Sequence, residues 1–195
     1  MARPKAFKEA DILEKAMLVF WKTGYHATTY QDLVTAMGIS RQSMYDTFGN
    51  KESLFQKAFL HYRQKNKLRI RELLSSYPSV KEGLSSMLVE SITNTLADED
   101  RKGCFAVNCS TEVAAGDVKI LPLLAENRKE FIQFFKEYLD GGKENGQLSN
   151  EADTETLASY IFTLYSGLQV NAKISNDLAE LTSIIKAGLS LLDKE

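Results

Sequence analysis

Apolar positions in this chain recur every three or four residues almost from end to end, and hardly anywhere alternate with polar ones. That spacing marks amphipathic helices, not strands. Ile12, Leu13, Ala16, Val19 and Phe20 form a first stripe, with Gly24 after its last turn, where a helix often needs a residue of positive φ. Thr29 followed by Asp32 is a capping-box pattern and predicts a second helix over 30–37, with Leu33, Val34 and Met37 on its apolar face and Gly38 as its stop. Ser40 caps a short third helix over 41–48, whose apolar positions are Met44 and Phe48. Gly49 breaks it, and Asn50 caps a long helix over 51–74 with Leu54, Phe55, Ala58, Phe59 and Tyr62 on one face. Tyr77-Pro78 closes that helix. Beyond it the same period predicts helices over 80–96, 104–115, 120–141, 153–173 and 177–192, with the run from Gly141 to Gly146 read as a helix end plus loop. The expected fold is all-α: an N-terminal three-helix domain of residues 1–50, joined by the long helix to a C-terminal helical domain of residues 51–195.

Composition narrows the classes. A chain of 195 residues is enough for one domain or two small ones. No window approaches 18 unbroken apolar residues, and residues 1–11 lack the apolar core of a secretory signal, so neither a membrane partner nor export is expected. Two cysteines make no disulfide framework, and a reducing cytoplasm is the expected location. Charge is uneven. Residues 1–70 carry 12 Lys+Arg against 6 Asp+Glu, and residues 71–195 carry 12 against 20. A basic first third on an acidic remainder suggests a polyanion-binding module, although one solvated basic face would leave the same count.

The helices over 30–37 and 41–48, joined by Gly38-Ile39-Ser40, have the size and turn of a helix-turn-helix. The outward face of the second, Arg41, Gln42, Ser43, Tyr45 and Asp46, is short, polar and rich in donors, as a reader of the major groove must be. It shows none of the Glu/Lys pairs of an ordinary surface helix. These residues carry a resemblance. Thr28-Thr29-Tyr30-Gln31-Asp32-Leu33 and the run Met37-Gly38-Ile39-Ser40-Arg41-Gln42-Ser43-Met44-Tyr45 through Phe55 resemble the TetR family of bacterial transcriptional regulators, and Phe20-Trp21-Lys22-Thr23-Gly24-Tyr25 fits the same pattern. The match covers about residues 10–60; Gly103-Cys104 followed by an apolar run and Asn108 looks like one branch of the family. The resemblance implies that Arg41, Gln42 and Ser43 meet base edges, Arg41 suiting guanine and Gln42 adenine. It implies that Thr29, Tyr45 and Lys51 hold phosphates, Lys51 at a helix N-terminus that also favours an anion. Arg3 and Lys5 precede the first helix as an arm for the backbone or minor groove, or as a disordered tail. Asp46 stands where the family often has a neutral or basic residue, which speaks against a phosphate contact there.

One short reading helix makes few base contacts, so a twofold homodimer on a pseudo-palindromic operator is expected. Leu157, Ile161, Leu164 and Leu168 share one stripe, and Leu181, Ile184, Ile185, Leu189 and Leu192 another; both are candidates for the dimer surface, or else face the chain's own core.

Phe131, Phe134, Phe135 and Tyr138 fall within eight residues, with Tyr160, Phe162 and Tyr165 later and the polar Asn108, Glu112 and Asn127 nearby. Aromatics at this spacing serve either as core or as the wall of an apolar pocket. The resemblance implies a small-molecule effector there, with Cys104, Phe105, Asn108, Glu112, Phe131, Phe134, Phe135, Tyr138 and Tyr165 as candidate lining. Cys104, after Arg101 and Lys102 at a helix start, is a candidate sensor of electrophiles, or simply a small buried residue. Cys104 and Cys109 lie about 140° apart around a helix, which fits neither a disulfide nor a shared metal site. With His26 and His61 as the two histidines, no metal and no cofactor are expected. The expected function is a ligand-responsive repressor released from its operator by the effector, and not an enzyme. The rival is a small all-α enzyme acting on a hydrophobic substrate in the same cavity and using Glu112 and Cys104; against it stands the lack of a carboxylate pair with a histidine, a phosphate loop, or a nucleophile beside a base.

Overall fold

The computed structural model describes residues 8–113 and 119–193; the arm containing Arg3 and Lys5 lies outside them. Among the described residues all regular structure is helical: α1 (Glu9–Thr23), α2 (Tyr30–Met37), α3 (Arg41–Phe48), α4 (Lys51–Ser75), α5 (Val80–Ala97), α6 (Phe105–Glu112), α7 (Leu121–Glu144), α8 (Thr154–Ile174) and α9 (Leu178–Leu189), ending in a 3-10 turn over Ser190–Leu192. None of these helices is long and apolar enough to cross a membrane. The chain divides into two compact units, Met1–Asn66 with Asn108–Leu124, and Lys67–Val107 with Ala125–Glu195.

Side-chain caps start most of the helices where polar residues announce them. Asn50 Oδ1 accepts from Ser53 N at 2.8 Å, Asp153 Oδ1 from Thr156 N at 3.1 Å and Asp177 Oδ1 from Glu180 N at 2.9 Å. Each such cap is worth about 1 kcal/mol. One stop differs from the reading of the sequence. α7 runs through Gly141-Gly142 to Glu144, because Gly142 sits in the helix against the Val80 side chain, where a Cβ would collide. Gly146, at φ +66°, makes the reversal instead, its N–H bonded to Lys143 O at 3.0 Å.

In the first unit, Ile12, Ala16 and Phe20 of α1, Leu33 and Met37 of α2, Met44 and Phe48 of α3, and Leu54, Phe55 and Phe59 of α4 are buried. Phe20 meets Phe55 edge-on at 5.2 Å. In the second unit α5 packs on α8 and α9. Leu84, Met87, Leu88 and Ile92 of α5 are fully buried there. Most of the two stripes considered for a dimer face faces this core: Ile161, Leu168, Leu181, Ile185, Leu189 and Leu192 are buried within the single chain and Leu157 and Leu164 half-buried, whereas Ile184 is exposed. α5 already occupies that side, and Leu164 and Tyr160 close over Gly188 of α9. On α8 and α9 the exposed large apolar side chains are Val170 and Ile174, and Leu178 and Ile184, with Leu191 just beyond α9; Ile174 is 81% exposed.

Leu88 has 0% exposure. Leu88→Ala should therefore lower the stability of the second unit by about 2–5 kcal/mol in denaturant unfolding.

Candidate nucleic-acid interface

α3 is an eight-residue helix with a buried underside and an open top. Met44 (0% exposed) and Phe48 (2%) anchor it, while Arg41, Gln42, Tyr45 and Asp46 are exposed and Ser43 half-buried. The turn before it is set by Gly38, in the left-handed region at φ +69° and ψ +29°, whose N–H bonds Val34 O. The Ser40 hydroxyl then accepts from Ser43 N at 3.1 Å and donates to Ser43 Oγ at 2.9 Å, so Ser43 is spent partly on the cap. Gly49 ends the helix at φ +81° and ψ −146°, a conformation open essentially to glycine alone.

The exposed face is pre-ordered by aromatic stacking. Tyr30, the first residue of α2, stacks on Tyr45 with ring centres 5.5 Å apart and planes at 23°. The Arg41 guanidinium lies over both rings, 4.8 Å from Tyr30 and 5.9 Å from Tyr45. The two phenols also hydrogen-bond to each other, which draws the Tyr45 hydroxyl below the usual phenol range and pushes Tyr30 above it. The Tyr30 hydroxyl accepts from Lys51 N at 3.3 Å, so a single side chain of α2 links the starts of α3 and α4. The helical period assigns Tyr30 no role; its one signal is an aromatic directly after a capping threonine. Thr29 itself works as the cap. Its hydroxyl accepts from Asp32 N at 3.1 Å and donates to Asp32 Oδ2 at 2.7 Å, and those Thr29 bonds hold the Asp32 carboxyl below its ordinary range.

The Lys51 side chain, expected at a phosphate, is engaged by the protein's own backbone in this structure. Its ammonium turns inward, donating to Thr28 O at 2.6 Å and His26 O at 3.4 Å, and lies 4.8 Å from the centre of the Tyr25 ring. Those carbonyls sit in the loop between α1 and α2, outside any helix, and the ammonium supplies the donor they need. Burial pulls its pKa down, and the neighbouring Glu112 carboxylate pulls it back up. Glu112 clamps the same loop, accepting from Tyr25 N at 3.0 Å and His26 N at 2.8 Å. Gly24 makes room for it: at φ +86°, a Cβ there would stand 2.8 Å from Glu112 Oε2. Glu112 is thus bound to the α1–α2 loop and belongs, like Asn108, to the first unit.

The other candidates lie in the second unit. Phe131, Phe134 and Phe135 cluster on α7, with ring centres 6.2 Å and 5.7 Å apart. Tyr138 fits over Gly83 and bonds Leu74 O at 3.4 Å. Cys104 and Phe105 are buried, and Cys104 stands beside the Tyr165 hydroxyl, whose pKa is driven well up by burial with the thiol adding to it. Cys104 and Cys109 are both buried thiols. Among the described residues two side-chain polar atoms are buried without a hydrogen-bond partner, Gln169 Nε2 and Asn127 Oδ1; the other end of Gln169 accepts from Thr95 Oγ1 at 3.2 Å. Asn127 stands out in sequence as a polar residue among aromatics. Gln169 does not, because a glutamine on a long helix is ordinarily solvated.

Comparison with known proteins places both parts of the chain. Residues 12–58 match the sequence model for bacterial regulatory proteins, tetR family, and residues 85–187 the one for the tetracyclin repressor-like C-terminal domain. The HTH-type transcriptional regulator YezE of Bacillus subtilis is 33% identical across 99% of this chain and 100% of its own length. The HTH-type transcriptional repressor ComR of Escherichia coli is 28% identical across 97% and 90%. Among solved structures, a cysteine mutant of the TetR family regulator CifR complexed with 26 bp double-strand operator DNA superposes with a TM-score of 0.86, at 31% identity over 98% of this chain and 100% of that one.

Two substitutions separate support of the loop from contact with DNA. Lys51→Ala and Glu112→Ala should each lower the thermal midpoint of the first unit, by the loss of about 1–2 kcal/mol. Lys51→Ala should weaken DNA binding while leaving the slope of log affinity against log salt unchanged, since no phosphate loses its partner. A slope shallower by about 0.9 per copy would return Lys51 to the phosphate backbone.

Proposed function

Since the chain belongs to the tetR family of bacterial regulatory proteins, and so is a DNA-binding transcriptional regulator, we propose that it is a cytoplasmic homodimeric repressor that sets α3 of each copy into successive major grooves of a pseudo-palindromic operator. The observation that carries this reading is the build of α3: Met44 and Phe48 are buried beneath it, and Arg41, Gln42 and Tyr45 stand on its open face. Arg41 is the base-reading donor, since its planar fork matches the two acceptors of guanine. The stack on Tyr30 and Tyr45 limits the rotamer entropy it loses on binding.

The dimer face in this reading is the outer side of α8 and α9, where Val170, Ile174, Ile184 and Leu191 remain exposed. An isologous pairing of two helices per copy buries such a surface in the manner of a four-helix bundle. The effector sits in the second unit, among the α7 aromatics, Cys104 and Tyr165. An effector with an acceptor for Gln169 Nε2 would relieve a buried donor that costs about 1–3 kcal/mol unmatched. α4, α6 and α7 each run from one unit into the other along the chain and are the covalent routes by which occupancy changes operator affinity, with a coupling of about 1–3 kcal/mol. A binding role, not an enzymatic one, is supported by Glu112, whose two carboxylate oxygens are both taken up by backbone N–H groups.

Mobility-shift titration against DNA upstream of the chain's own gene tests the reading. Arg41→Ala should weaken specific binding by about tenfold or more and relax selection at one position of each half-site. An unchanged affinity and site would remove α3 from the groove. Ile174→Arg should give monomers in sedimentation velocity and abolish operator binding at concentrations that saturate the wild type. A dimer that survives this change would place the interface elsewhere.

A further inference from the structure

Gln42 and Asp46 stand one turn apart on the exposed side of α3, and Gln42 Nε2 donates to Asp46 Oδ1 at 2.8 Å. A carboxylate only accepts, so it fixes which end of the amide faces it. Arg41, the nearby donor, is held on Tyr30 and Tyr45 instead, which leaves this carboxylate to Gln42. With one N–H engaged, the Gln42 amide has one N–H and Oε1 left to present. A donor beside an acceptor complements adenine, which shows N7 as acceptor and N6–H as donor in the major groove. Guanine shows two acceptors there, N7 and O6. An amide able to turn gives its N–H groups to guanine, whereas one fixed by Asp46 sets Oε1 against O6. The charge on Asp46 also lowers attraction to any duplex, because the phosphates repel it whatever the base.

We propose that Asp46 is a specificity-determining residue: it orients Gln42 so that the protein reads adenine and rejects guanine at one position of each half-site, while weakening attraction to DNA in general. The proposal rests on α3 entering the major groove.

Binding-site selection from a randomised duplex library with the full-length protein defines the site, and the position whose preference disappears with Gln42→Ala is the one Gln42 reads. Affinities of the wild type, Asp46→Asn, Gln42→Ala and the double variant are then measured on that site and on its copy with adenine replaced by guanine. The wild type should prefer adenine by about tenfold or more. Asp46→Asn, which keeps the size and removes the charge, should lose most of that preference, chiefly because the guanine duplex binds more tightly. In the Gln42→Ala background the same change should leave the adenine-to-guanine ratio where it was, the signature of a coupled pair. An unchanged ratio in Asp46→Asn, or an equal shift with and without Gln42, would overturn the proposal and leave the groove assignment standing. A wild-type protein that selects no base at all would overturn both.

Discussion

A helix of eight residues does not persist in water by itself, since nucleation is costly and α3 forms only about two turns. What holds it is the burial of Met44 and Phe48, together with the Ser40 cap at one end and Gly49 at the other. Everything else in the first unit follows from that constraint. Because stability comes from below and from the ends, the upper face is released from contributing to it. The residues there are accordingly poor in helix-stabilising charge pairs and rich in groups that match base edges.

The same economy governs the loop between α1 and α2. Its backbone groups lie outside any helix, and three side chains satisfy them: Lys51 for the carbonyls of Thr28 and His26, Glu112 for the N–H groups of Tyr25 and His26, and Thr28, which donates to Gly24 O at 2.5 Å. The Glu112 carboxylate is close enough to favour the charged state of Lys51. A cation and an anion that look in sequence like binding groups are thereby bonded to the backbone of this loop.

The second unit is organised by size instead. α5, α8 and α9 bury most of their aliphatic side chains against one another, and the glycines at 83, 142 and 188 admit Tyr138, Val80 and Tyr160 at distances a Cβ would forbid. What this packing does not absorb is an apolar strip outside on α8 and α9, and two buried amide atoms, Gln169 Nε2 and Asn127 Oδ1, without partners among the described residues.

Helix periodicity and caps were enough to place nearly every element, because the 3.6-residue stripe and the Thr29, Ser40 and Asn50 caps act within one or two turns of chain. The helix-turn-helix and its outward residues were legible for the same reason: Gly38, Ser40, Met44 and Phe48 all lie within eleven residues of one another. The direction of each apolar stripe was not. Ile161 and Ile185 look alike as core or interface residues until α5 is seen to cover them, and Ile174 gains meaning only by being left uncovered. Nor did the sequence place Lys51 or Glu112, since a charged side chain finds its partner through space and theirs lie 23 to 87 residues away along the chain. Local order is written in short-range pattern, but which groups are spent on holding the fold and which remain for DNA is settled only when distant backbone atoms come within hydrogen-bonding reach.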